Sequence, residues 1–303
     1  MESPEAQQLW SEASLAISRS PAYGGLELEP QIGLLPLGQD RDSGLWEFVH
    51  LGTGQLPRSA EEGPVVPAED TGIIFVLLPG GTFWMGAQAL DEGRPNYDPG
   101  AISDEGPVHQ VTLSPYFLAK HEVTVAQWVK LGGFSPRWNS GGLQPANDVS
   151  WNEAATIARS VGTWVSLPTG AQWEFGARGG TSSPWWTGDE ALQLAGVEWL
   201  IVGQQNPSAL REIGTGTANP YGLHDLLGNV REWCSDEFVP YTKESMVDPV
   251  VVGTGVTVRE DRGGSFRHRP DSARVSWRLR LVPGRKSTDL GVRFARSIPA
   301  GDR

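Results

Sequence analysis

Glycine and proline set the scale of this fold. The chain carries 38 glycines and 23 prolines in 303 residues, so no apolar repeat runs far before a turn former interrupts it. Proline removes a backbone donor, and glycine inside an element weakens it. Short strands and short helices joined by much irregular backbone are therefore expected, around a core that can draw on 13 tryptophans. With 39% hydrophobic and 20% charged residues the composition is that of a globular protein. The length suits one large domain or two ordinary ones.

The pattern of turn formers divides the chain. In residues 1–20, Leu9, Ala13, Ala16 and Ile17 keep a helical spacing, which suits either a short amphipathic helix or a tail ordered only by a partner. Residues 24–56 read as a hairpin: the apolar runs Leu26–Leu37 and Leu45–Leu51 flank the turn-rich stretch from Gly38 to Gly44. Residues 57–70 have the composition of a linker, making 1–70 an N-terminal extension and 71–303 the main domain. That domain opens with a strand at 72–78, ended by Pro79-Gly80-Gly81, and a return strand at 82–86. A polar loop over 91–106 and a strand over 108–113 follow. Thr124-x-x-Gln127, Ser150-x-x-Glu153 and Thr169-x-x-Gln172 each predict a helix start, because the cap oxygen can take an otherwise unpaired backbone N–H. Past residue 180 the periodicity fades.

Charge and cysteine content exclude some classes. A net charge of −12 argues against nucleic acid or an anionic membrane as partner, since both need a basic footprint. The lone cysteine, Cys234, allows no intramolecular disulfide, and the start lacks the basic and apolar regions of a signal peptide, so a cytosolic setting is expected.

The segment from Pro79 to Gly86, the pieces Glu105–Val111 and Lys120–Thr124, and the stretch Leu167–Gly180 resemble successive blocks of the formylglycine-generating-enzyme (sulfatase-modifying factor) domains. So do Asn219–Trp233, Arg262–Phe266 with Arg274 and Arg278, and Leu290–Phe294. The blocks stand in family order over roughly three quarters of the chain. The resemblance implies an α+β, C-type-lectin-like fold: a small twisted sheet, few helices and much loop. It also implies what is missing. The copper-dependent oxidases of the family use a cysteine pair, and a soft Cu(I) ion needs thiolates. Counted from Arg262, those cysteines would fall at or near His268 and Ala273, so no copper and no cysteine oxidation are expected. The iron-dependent sulfoxide synthases of the same fold take three histidines from a separate helical domain plus this fold. His50, His109, His121, His224 and His268 form no i, i+4 pair that could replace them. Gly264-Ser265-Phe266 lacks the second glycine of a nucleophile elbow, and spacing suggests no His–Asp partner for it. By the same resemblance Gly228, Val230 and Glu232 could hold a structural Ca²⁺; the alternative is Glu232 paired with a core arginine.

What remains is recognition. Residues 259–296 hold eleven Lys/Arg against four acids, a net of +7 within a chain of −12. Arg262, Arg274, Arg278 and Arg293 fall on family positions and are expected to brace loops. Arg267, His268, Arg269, Arg280, Arg285 and Lys286 fall on free positions. With Asp271 and Trp277, and joined by Trp185 and Trp186, they make a candidate surface for a protein, peptide or acidic small ligand. The reading is a non-catalytic binding module, akin to kinase-linked sensor domains or to variable proteins diversified by retroelements in their last block. Its rival is a tailoring oxidoreductase that uses a metal without the cysteine pair. An internal role, clamping the acidic 91–106 loop, competes for the same basic residues. Trp173 and Trp233, each beside an acid, are expected in the core; Trp233→Ala should lower stability by about 3–5 kcal/mol, read as an earlier denaturant-unfolding midpoint.

Overall fold

The computed structural model describes residues 3–58, 67–134 and 141–299. In chain order the elements are α1 (Pro4–Arg19), β1 (Leu34–Gln39), β2 (Trp46–His50), β3 (Ile74–Leu78), β4 (Gly81–Met85), β5 (His109–Leu113) and β6 (Tyr116–Ala119). Next come α2 (Val125–Lys130), α3 (Trp151–Val161), β7 (Val165–Ser166), α4 (Gly170–Arg178), β8 (Arg231–Glu237) and β9 (Met246–Val247). The last four are β10 (Arg259–Arg262), β11 (Arg278–Leu281), β12 (Leu290–Gly291) and β13 (Ala295–Ser297). They form a six-stranded sheet ordered β1-β2-β3-β6-β13-β7, a four-stranded sheet β11-β10-β8-β12 and a three-stranded sheet β4-β5-β9. This is the expected α+β mixture of few helices, small sheets and much loop.

All three expected capping boxes form. Thr124, Ser150 and Thr169 accept from the backbone of Gln127, Glu153 and Gln172, whose side chains return the bond. α4 ends at Gly179 in the left-handed region, which spares a side chain the steric cost there. The hairpin also forms, with Leu34 opposite His50 and Gln39 opposite Trp46. Its second strand pairs with β3, placing Phe48 opposite Phe75. The extension therefore packs on the main domain through a continuous sheet. α1 is ordered, but its buried stripe is Ala6, Trp10, Ala13 and Ile17; Leu9 points to solvent. The reason is Trp10, whose ring lies 5.3 Å from Phe48 and whose Nε1 donates to the Leu34 carbonyl. Much of the 57–70 linker lies outside the described residues.

The strand at 82–86 does not return along β3. β4 pairs instead with β5, from Gly81 opposite Leu113 to Met85 opposite His109. Gly80 and Gly81 both take positive φ, and a Cβ on Gly80 would sit 2.3 Å from the Leu113 carbonyl oxygen. Only glycine permits that approach, and it lets the chain leave one sheet for another.

Trp173 and Trp233 are fully buried. Trp233 donates to the Val149 carbonyl, and Trp173 donates to Glu232 Oε2 at 2.7 Å. Glu232 is held by Arg293, whose Nε and Nη2 reach its oxygens at 2.8–3.1 Å. Arg293 also donates to the carbonyls of Ala119 and His224. One guanidinium thus ties β6, the 219–230 loop, β8 and the C-terminal strands together.

Two predictions follow from this packing. Arg293→Met should cost about 3–5 kcal/mol, because Glu232 would keep a buried charge without its partner. Adding Glu232→Gln should recover part of that loss in a double-mutant cycle read by denaturant unfolding. The second concerns Glu198, which is buried, and burial followed by the Asp225 charge pushes its carboxyl from 4.5 to about 8. Between those values the folded chain holds a proton that the unfolded chain has released, so stability falls as pH rises from 4.5 to 8. Glu198→Gln should remove that loss: its melting temperature should match the parent at acid pH and exceed it by several degrees at pH 8.

Candidate functional site

The turn after β10 places the last block of the sequence. Ser265 is fully buried, and its Oγ lies 2.7 Å from His268 Nδ1 while also donating to Asp289 Oδ2 at 3.2 Å. Spacing gave no hint of this cluster, because Asp289 arrives from the turn before β12, 24 residues away. It is not nucleophilic machinery. The carboxylate sits on the hydroxyl and not on the far side of the imidazole, and the hydroxyl has no access to solvent. Burial and the nearby Arg231 push the His268 imidazole below its usual range. Ala273 is fully buried, and a Cβ added to Gly264 would stand 2.7 Å from its own Cβ. Cys234 is buried in β8, and burial pushes its thiol up, away from the reactive thiolate.

The arginines expected to brace loops do so inside the molecule. Arg262 bridges Glu174 at 3.1 Å and Glu260 at 2.5 Å; Arg278 meets Glu260 at 2.5 Å. Lys286 pairs with Glu153 and Arg280 reaches Asp104 at 3.6 Å. Arg274 grips Asp98 at 2.8 Å and Glu105 at 2.5 Å, stacks over Trp277, and is joined at Glu105 by Ser276. The clamp on the 91–106 loop is thus present, and Arg280 and Trp277 lean toward it. Arg267, Arg269 and Arg285 stay exposed and, among the described residues, form no ion pair. Trp185 and Trp186 are not free platforms. Trp185 is buried with its Nε1 on the Pro270 carbonyl, and Trp186 donates to Glu198. Both are anchored because Val275 N–H also bonds the Pro184 carbonyl, stitching this segment to the last block.

Gly228, Val230 and Glu232 do not fit a Ca²⁺ ion. The Glu232 carboxylate is already saturated by Arg293 and Trp173, and a cation there would have to displace a buried guanidinium. The Val230 N–H donates to Glu122. Among the described residues no group of three or more His, Cys, Asp and Glu side chains is gathered as a metal would need. His121 and His224 instead stack at 5.0 Å, and burial pushes both imidazoles down.

The concave feature of this region lies against the clamped loop. A cleft of about 990 Å³ runs between residues 92–100 and 180–190, floored by Arg274 and edged by Asp271. Its walls carry Tyr97, Asp98 and Trp185, with Glu92, Asp189 and Glu190 exposed at the rim. A second cavity of about 660 Å³ lies across Arg94 and Pro95, which line both; Trp84, Leu90, Ile102 and Lys243 belong to it. The loop between them is rigidly held, since Asn96 Nδ2 donates to the carbonyls of Trp84 and Gly86 at 2.7 Å each. Of the residues singled out from sequence, Asp271 and Trp185 meet in this cleft. Glu92, Asp189 and Glu190 were missed; the signal available was the clustering of acids on both flanking loops.

Comparison with known proteins bears on the family and the fold. Residues 63–298 match the family described as the sulfatase-modifying factor enzyme 1-like domain. The formylglycine-generating enzyme of Streptomyces coelicolor is 29% identical over 305 residues, covering 78% of this chain and 93% of that protein. The structure of PvdO from Pseudomonas aeruginosa superposes with a TM-score of 0.66 at 22% identity, covering 80% of this chain and 100% of that one. Variable protein 1 of Treponema denticola superposes at 0.60 and 23% identity, covering 75% and 96%. At such identities the two structures establish the fold. Family match, block order and sheet arrangement converge: this chain belongs to the sulfatase-modifying factor enzyme 1-like domain family.

Proposed function

We propose that this chain is a non-catalytic member of its family, a binding module that presents the cleft between residues 92–100 and 180–190 to a peptide or protein. The observation that carries the reading is the pairing of a formed, open cleft with a last block that holds no thiol. His268 and Ala273 stand where the family resemblance puts the cysteines, and Ala273 is packed against Gly264. Cys234 is interior to β8 and cannot stand in for them.

The walls of the cleft support recognition. Arg274, Ser276 and Asn96 hold the loop in one conformation, so a ligand would meet a surface already ordered and would lose little affinity to ordering it. Tyr97 gives flat area, and the rim carboxylates give polar selectivity. A reducing compartment such as the cytosol suits a chain whose only cysteine is buried. Among the described residues no helix is long and apolar enough to cross a membrane.

Peptides selected from a random display library against the purified chain should protect residues 92–100 and 181–190 from hydrogen exchange. The same chain, loaded with Cu(I) and given cysteine-containing peptides and oxygen, should leave their thiols unchanged by mass spectrometry. Turnover of a peptide cysteine would refute the non-catalytic reading, and protection confined to other segments would move the site.

A further inference from the structure

Building on the binding-module reading, we infer that the two cavities on either side of Arg94 and Pro95 form one bipartite site. It takes an extended segment of a partner protein that places an apolar side chain in one half and a Lys or Arg side chain in the other.

The smaller cavity is the apolar half. Leu90 is 95% exposed there, with Ile102 at 45% and Trp84 at 43%. Three large apolar side chains edging one concavity offer a patch suited to an apolar ligand group. The larger cavity has the opposite character. Glu92, Asp189, Glu190 and Asp271 are exposed along it and, among the described residues, none forms an ion pair. Of the cations in the same lining, Arg274 is buried against Asp98 and Glu105, while Arg94 makes only an exposed contact with Asp91 and is outnumbered by the four carboxylates. The cleft is therefore left with unspent negative charge beside the Tyr97 ring, and a concave surface of one sign concentrates ligands of the other. This differs from the acidic ligand expected at Arg267, Arg269 and Arg285, which stay exposed but line neither cavity.

Shared lining makes the two halves one site. Arg94 and Pro95 border both cavities, so a chain running over them can fill the two together. Neither half is lined by His268 or Ala273, although Asp271 and Arg274 of the same block border the larger one.

Fluorescence anisotropy with two labelled heptapeptides tests the assignment: Gly-Leu-Phe-Gly-Arg-Lys-Gly and its charge-reversed counterpart with Glu-Asp. The basic peptide should bind and the reversed one should not. Affinity for the basic peptide should fall at least about tenfold in the triple variant Asp189→Asn, Glu190→Gln, Asp271→Asn, and should weaken as salt is raised from about 0.05 to 0.5 M. Leu90→Ser should also weaken it, by about threefold or more. All four positions are exposed, so melting temperatures should stay at the parent value. Equal affinity for both peptides, failure of the basic peptide to bind, or full affinity in the triple variant would overturn the inference. Concentration-dependent self-association abolished by Leu90→Ser would assign the groove to a second copy of the chain and overturn it likewise. Binding of the reversed peptide that is lost in Arg267→Glu with Arg269→Glu would sink this inference and leave the binding-module reading standing. Oxidation of a peptide cysteine would sink that reading alone.

Discussion

The buried contact between Glu232 and Arg293 is what the rest of this structure depends on. Irregular backbone carries polar groups that must be paired once water is excluded. Arg293 supplies donors at several such points at once: the Glu232 carboxylate and the carbonyls of Ala119 and His224. A fold with so little regular secondary structure needs these many-armed groups, because ladders and helices do not satisfy the backbone for it. Arg262 serves the same purpose one layer away, bonding Glu174, Glu260, the Val275 carbonyl and the Tyr241 hydroxyl. Arg231 does so at Asp261 and Asp289.

That use of arginine decides the electrostatics of the surface. A basic C-terminal segment on an acidic chain suggests a positive face. In the folded molecule Arg262, Arg274, Arg278 and Arg293 are buried against carboxylates, while Arg267, Arg269 and Arg285 stay exposed. Arg274 neutralises Asp98 and Glu105 within the 91–106 loop and leaves Glu92 uncompensated, while Asp189, Glu190 and Asp271 join the same acidic rim from neighbouring segments. The same bracing fixes the wall of the cleft, so the stability of the loop and the shape of the site share one cause.

Much of the fold was legible beforehand. The capping boxes at Thr124, Ser150 and Thr169, the hairpin and the strands at 74–78 and 109–113 depend on neighbours within a few residues, which local sequence records. The ordered blocks from Pro79 to Phe294 indicated the lectin-like architecture, and Glu232 was correctly offered a core arginine as one of two partners. The errors fell where distant segments compete. β4 was given the wrong partner because Gly80 and Gly81 permit a change of sheet that no periodicity reveals. The stripe of α1 was misplaced because Trp10 answers to Phe48 and Leu34, which lie far along the chain. Trp185 and Trp186, read as open platforms, are held by Pro270 and Glu198.

By itself, then, the sequence determined the scale and type of the elements, the family to which the chain belongs and the absence of a thiol from its last block. Turn residues, caps and motif order act locally or by identity. Only the tertiary structure decided which charges face water. An arginine reads the same on a surface as in a core, and whether Arg274 or Arg267 is free to meet a ligand depends on which carboxylates the folded backbone brings within about 3 Å of it.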